Sequence, residues 1–199
     1  MNNLFLDNIG EIIMKFKKLA LSMVVLAAAL TGCGNNSELP ESNTPAVETN
    51  ADAVSGASQV NDEETFKQKI SKDNTNFMII VNKDLTFTED LVVESGIKKD
   101  KEGNEAPNRA IAPAAEDADL KISERYTLTV PNLIFAGENG KFENGILKGN
   151  IYVQAEGFIL QDATVDGNIY FATQELKDAF TVDETSKITG SLEVKEYSK

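Results

Sequence analysis

The chain has 199 residues, with 19 Lys and Arg against 32 Asp and Glu, a formal net charge of −13, a single cysteine and neither histidine nor tryptophan. That length suits one ordinary domain with appendages. Without histidine, Ser–His and Cys–His nucleophile pairs are impossible and the commonest metal ligand is lost; the acidic balance excludes nucleic acid as a partner, and a lone cysteine closes no internal disulfide.

Reading from Met14, Lys15-Phe16-Lys17-Lys18 is followed by an uncharged apolar run over 19–30 and then Thr31-Gly32-Cys33. A cationic start, a short apolar segment and small residues before a cleavage point are the parts of a signal peptide, placed at 1–32. Twelve residues as a helix span about 18 Å, short of the roughly 30 Å hydrocarbon layer, so a membrane-spanning anchor fits less well. Asp7 and Glu11 are out of character for a signal-peptide start, and Met14 is the expected true beginning. Leu30-Thr31-Gly32-Cys33 resembles the bacterial lipobox. The resemblance implies cleavage before Cys33, acylation of its thiol by palmitate-type chains, and residence on the extracytoplasmic face of the cell membrane. Two or three acyl chains, at about 0.8 kcal/mol per buried methylene, hold a protein durably.

Residues 33–61 are rich in Asn, Ser, Glu, Thr, Pro and Ala and carry no aromatic side chain. Such a composition cannot offset chain entropy by burial and predicts a disordered linker. The body is expected over 62–199. It opens on an amphipathic helix at 62–72, with Asn61 as N-cap, Glu64 in a capping box, and Phe66 and Ile70 on one face. Strands are expected at 77–81, 84–87, 91–94, 109–112, 120–123, 126–130 and 133–135. The charged stretch 98–108, with Gly and Pro, reads as an exposed excursion.

Three segments then repeat: Leu147-Lys148-Gly149-Asn150-Ile151-Tyr152-Val153, Val165-Asp166-Gly167-Asn168-Ile169-Tyr170-Phe171 and Ile188-Thr189-Gly190-Ser191-Leu192-Glu193-Val194. Their glycines lie 18 and 23 residues apart. A period near 20 residues points to a solenoid. Glycine permits a corner between short strands, and Asn150, Asn168 and Ser191 should stack as a ladder. Alternation then sends Ile151 and Val153 inward and Tyr152 and Tyr170 outward, while Phe158, Leu160 and Phe180 fill further inner positions. The expected fold is therefore mainly β, a short right-handed parallel β-helix with an N-terminal capping helix; an antiparallel β-sandwich is the alternative. The Gly-[Asn/Ser]-[Ile/Leu]-x-[Val/Phe] rhythm over 145–194 resembles right-handed β-helix proteins, bactofilins among them. Lipobox, polar linker and β-helical body together are similar to uncharacterised lipoproteins of Gram-positive anaerobes, a resemblance that implies no activity.

Chemistry is sparse. Asp162-Ala163-Thr164-Val165-Asp166-Gly167 has the oxygen spacing of half an EF-hand loop, but position twelve is Thr173 and not a bidentate glutamate. Gly149 and Gly190 hold the same repeat place without the aspartates, so no metal is expected. Arg109 and Arg125 are the only guanidinium groups, and both precede the repeats. No catalytic residue and no cofactor is implied, and nothing in the sequence recommends an enzyme. Stacked Tyr152 and Tyr170 could meet a sugar face or simply stabilise the ladder. The expected role is structural or binding, at the cell envelope. The expected partners are the membrane through Cys33, a cell-wall or other glycan, and a second copy of the chain; a carbohydrate-binding or polysaccharide-cleaving surface protein is the alternative.

Overall fold

A short apolar period resolves into packing when the chain winds into coils whose strands stack in register. The computed structural model describes residues 57–198 and takes this form. The signal segment 1–32, Cys33 and the linker up to residue 56 lie outside the described residues.

In chain order the elements are β1 (Ala57–Val60), α1 (Glu63–Ile70), β2 (Met78–Val81), β3 (Leu85–Thr86), β4 (Leu91–Val93), β5 (Gly96–Lys99) and β6 (Glu105–Ala112). Next come β7 (Ala114–Glu116), β8 (Ile122–Arg125), β9 (Thr127–Phe135), β10 (Gly140–Glu143), β11 (Ile146–Val153), β12 (Ile159–Gln161) and β13 (Thr164–Asp166). The last are β14 (Ile169–Phe171), α2 (Gln174–Asp178), β15 (Thr181–Val182), β16 (Lys187–Ile188) and β17 (Leu192–Val194). One sheet stacks β1, β2, β6, β10, β12 and β15. The other stacks β3 and β4 on β9, then β11, then β13 and β14, then β16 and β17. Every one of these stacking pairs is parallel, so the chain is a β-solenoid and not an antiparallel sandwich.

The three sequence repeats fall into register as expected, with Leu147 beside Val165, Val165 beside Ile188, Ile151 beside Ile169, and Ile169 beside Leu192. The inward side chains of the first two copies join Ile79, Ile111, Phe142 and Leu160 of the first sheet in one core, with Ile188 packed against it, whereas Leu192 and Val194 of the third copy, on the last coil, are exposed. Phe158 sits in that core 4.7 Å from Phe135, and Phe180 packs 5.2 Å from Phe171.

The polar ladder is longer than the repeats suggest. Asn132 Nδ2 donates to Asp90 Oδ1 at 2.8 Å, and Asn150 Nδ2 donates to Asn132 Oδ1 at 3.1 Å. Asn168 N donates to Asn150 Oδ1 at 3.1 Å, and Ser191 N to Asn168 Oδ1 at 2.8 Å. The earlier rungs are masked in the sequence because β9 carries Val130-Pro131 where β11 has Gly149 alone, and the register slips between Lys148 and Asn150. Proline, lacking an N–H, is accommodated at such a bulge.

The body starts before residue 62: Ala57–Val60, within the stretch read as linker, pairs residue by residue with Met78–Val81. Its small polar residues carry no strand signal of their own, so the strand exists through its partner. Helix α1 rests on β1, β2 and β4 with Phe66 and Ile70 buried, as its spacing predicts. Its N-cap is Asp62 and not Asn61, because the Asp62 carboxylate receives the Thr65 N–H at 2.8 Å. The expected excursion at 98–108 is an ordered hairpin, β5 antiparallel to β6. A second hairpin, β7 with β8, leaves the coil directly after β6, and Leu120 sits at its turn instead of in a strand.

Candidate functional site

Alternation in β9, β11 and β14 places Ile134, Tyr152 and Tyr170 one above another on the outer face of the second sheet. The two tyrosine rings are 4.7 Å apart, the stacking expected from the repeats. Their exposure differs from expectation. Tyr152 is 7% exposed and Ile134 1%, although neither belongs to the inner core. The two tyrosine rings are met from outside by the residues after β17. Lys195 Nζ lies 4.7 Å from the Tyr170 ring, and Tyr197 meets Tyr152 edge-on at 5.1 Å. Tyr197 Oη then donates to Asp90 Oδ2 at 2.7 Å, which spans the second sheet from its last coil back to its first strands. That bond to a carboxylate holds the Tyr197 phenol above its usual pKa. A sugar face cannot reach the Tyr152 ring while this strap is in place. No spacing rule ties residue 197 to residue 90, so the cover is invisible in the sequence.

On the other side of the solenoid, the outer face of the first sheet carries Met78, Ile80, Ala110 and Ala112 where polar residues would ordinarily face water. The two hairpins rise beside this face and leave two hollows. The first holds about 310 Å³ between Met78, Ile80 and Ala112 below and Ala115, Glu116 and Ile122 of the β7–β8 hairpin at the side. Gln59, Asn82, Glu143 and Asn144 complete it. The second, about 330 Å³, lies against the β5–β6 hairpin and includes Lys98, Lys99 and Lys141. Lys141 and Glu143, on neighbouring outward positions of β10, form an ion pair at 3.3 Å between the two hollows. No family model, curated protein or solved structure matches this chain. The chemistry of these surfaces must therefore speak for the function.

The polar groups of the second hollow are largely committed. Lys99 pairs with Glu105 at 2.8 Å, and Asp100 receives the backbone N–H groups of Glu102 and Asn104 that close its own turn. The Asn104 side-chain amide, which donates to Asp100 Oδ2 at 2.8 Å, and then these backbone bonds hold the Asp100 carboxyl below its usual range. In the first hollow, Glu143 is 7% exposed and its carboxylate meets only Lys141, while Glu116 has no ion-pair partner among the described residues. The wall is well founded: Arg125, at the base of β8, donates to both the carbonyl and the carboxylate of Asp162 at 2.6 Å. Alternation in β10 reveals that Glu143 points outward; its burial comes from the hairpin folded beside it, which the sequence did not disclose.

Neither arginine faces a cleft. Arg109 is 1% exposed and points its guanidinium at the carbonyls of Lys69, Ser71, Asn74, Asn76, Glu94 and Ser95. Burial draws its pKa down to about 10, against the pull of the Glu94 charge, which leaves it cationic at neutral pH. It ties the end of α1 to the coil beneath. Of the half EF-hand, Asp162 is engaged by Arg125 and Asp166 accepts from Thr189 Oγ1 at 3.0 Å. Gly167 serves the corner, where a Cβ would collide with the Gly149 carbonyl.

Proposed function

We propose that the chain is a lipid-anchored extracytoplasmic protein that carries its β-solenoid as a structural or binding module at the cell envelope. The observation that carries this reading is Leu30-Thr31-Gly32-Cys33 directly after a short apolar run with a cationic start. Acyl chains on Cys33 confine the body to the membrane surface, and the polar linker lets it stand clear. The strong negative charge repels it from anionic headgroups. Replacing Cys33 with serine should move the protein from the membrane fraction to the soluble fraction and abolish incorporation of labelled palmitate. An unchanged membrane fraction would refute the anchor.

A second reading, saccharide binding or cleavage, is favoured by the mixed apolar and polar lining of the first hollow. Self-association belongs to the same envelope reading. It is supported by the exposed Val182, Leu192 and Val194 on the final strands β15 and β17, and light scattering that stays monomeric as concentration rises would exclude it.

A further inference from the structure

The hollow beside the β7–β8 hairpin combines three features that a merely solvated sheet face would lack. Its floor is apolar, made by Met78, Ile80 and Ala112. Small side chains at Ala112, Ala114 and Ala115 border the space, and Ala112 and Ala114 are buried although they lie outside the inner core cluster. Around the floor stand amides and carboxylates, and one of the latter, Glu143, is more than nine-tenths buried. A flat apolar floor with a polar rim is the complement of a pyranose ring, whose axial C–H groups are apolar and whose hydroxyls project from the edge. The volume of about 310 Å³ matches a short saccharide segment rather than a protein partner.

Charge narrows the class further. Both charged side chains in the lining, Glu116 and Glu143, are acidic, and Lys141 touches Glu143 from the neighbouring hollow without lining this one. Carboxylates accept hydrogen bonds from hydroxyl or ammonium groups but repel a carboxylate or phosphate brought into the same partly desolvated space. Gln59, Asn82 and Asn144 supply both donors and acceptors, as a ring of hydroxyls requires. We propose that this hollow is a binding site for an uncharged or amino-bearing sugar unit, with Glu143 as the principal acceptor and the Met78–Ile80–Ala112 floor as the stacking surface. The inference rests on the saccharide reading above and moves it from the strapped tyrosines to the opposite sheet.

The test is titration of the full chain with oligomers of glucose, of glucosamine and of galacturonate, followed by calorimetry. The first two should bind, and galacturonate should bind at least about tenfold more weakly because it brings its own carboxylates to Glu143 and Glu116. Ala112→Phe fills the hollow from its floor and should abolish binding. Glu143→Gln should weaken glucosamine by about tenfold while changing glucose less, since only the amine loses a charged partner. Tyr152→Ala with Tyr170→Ala should leave affinity unchanged. Galacturonate bound as tightly as glucose, or binding that survives both Ala112→Phe and Glu143→Gln, overturns this site while sparing the saccharide reading. Failure of the native chain to bind any of the three overturns both. If Ala112→Phe does not fold by circular dichroism, Glu143→Gln alone decides.

Discussion

At the scale of single residues, Arg109 has the heaviest duty. Five N–H groups are shared among six backbone carbonyls, of which those of Lys69 and Ser71 also receive Asn74. A buried carbonyl deprived of its partner costs about 1–3 kcal/mol, and several would be deprived together. Arg109→Met should therefore lower stability by at least about 3 kcal/mol, read as a lower urea midpoint. Arg109→Lys should recover only part of this, because an ammonium offers three donors from one point. Equal midpoints for wild type and Arg109→Met would contradict the role assigned to it. The sequence marked Arg109 only as a rare guanidinium, since its acceptors come from two segments, 69–76 and 94–95, that are distant from it in the chain.

At the scale of elements, the ladder and its corners hold successive coils in phase. Asn168 both donates to Asn150 and receives the backbone and hydroxyl of Ser191, so it serves two interfaces. Asn168→Ala should cost about 1–3 kcal/mol and accelerate hydrogen exchange in Ile188–Val194 more than in β9. Uniform acceleration along the chain would mean that the ladder is not a local clamp. Gly149 has φ +138°, and a Cβ there would strike the Val130 carbonyl oxygen. Gly149→Ala should accordingly destabilise through the backbone even though it adds only a methyl group.

At the scale of the whole molecule, pH acts at both ends of the range. Bonds from the Thr65 N–H hold Asp62 below the ordinary 3.8, Lys67 holds Glu89 below 4.5, and the Ser186 hydroxyl holds Asp183 below 3.8. Lowered carboxyls contribute stability that is complete above these ordinary values and is lost as pH falls through the lowered ones. Glu124 and Asp90 hold the phenols of Tyr126 and Tyr197 above 10.0, so their contribution is complete below that value and is lost as pH rises through the raised ones. Stability should be flat with respect to these groups from about pH 5 to 9 and decline on both sides. The alkaline decline includes release of the strap. Tyr197→Ala should release it at neutral pH and raise nitration of Tyr152 roughly three- to tenfold, followed by peptide mass spectrometry. Equal reactivity of Tyr152 in both proteins would show that the strap does not shield it.

Local pattern was enough for the parallel solenoid. Alternation with a corner glycine every 18 to 23 residues admits few other windings, and the inward positions of β11 and β14 could be assigned one by one, while the matching residues of β17 align in register but stay exposed on the last coil. The helix was legible for the same reason, since Phe66 and Ile70 are four residues apart and need no partner to be recognised. Tertiary structure decided the rest. β1 is a strand only because β2 offers it an edge, and the ladder extends to Asp90 only because a bulge at Pro131 restores the phase. Tyr152 is covered through a contact with residue 197, and Glu143 is buried by a hairpin that departs between β6 and β9. Periodicity says which way a side chain points from its own strand. What lies against it on the far side depends on segments distant in sequence, and no local spacing encodes that encounter.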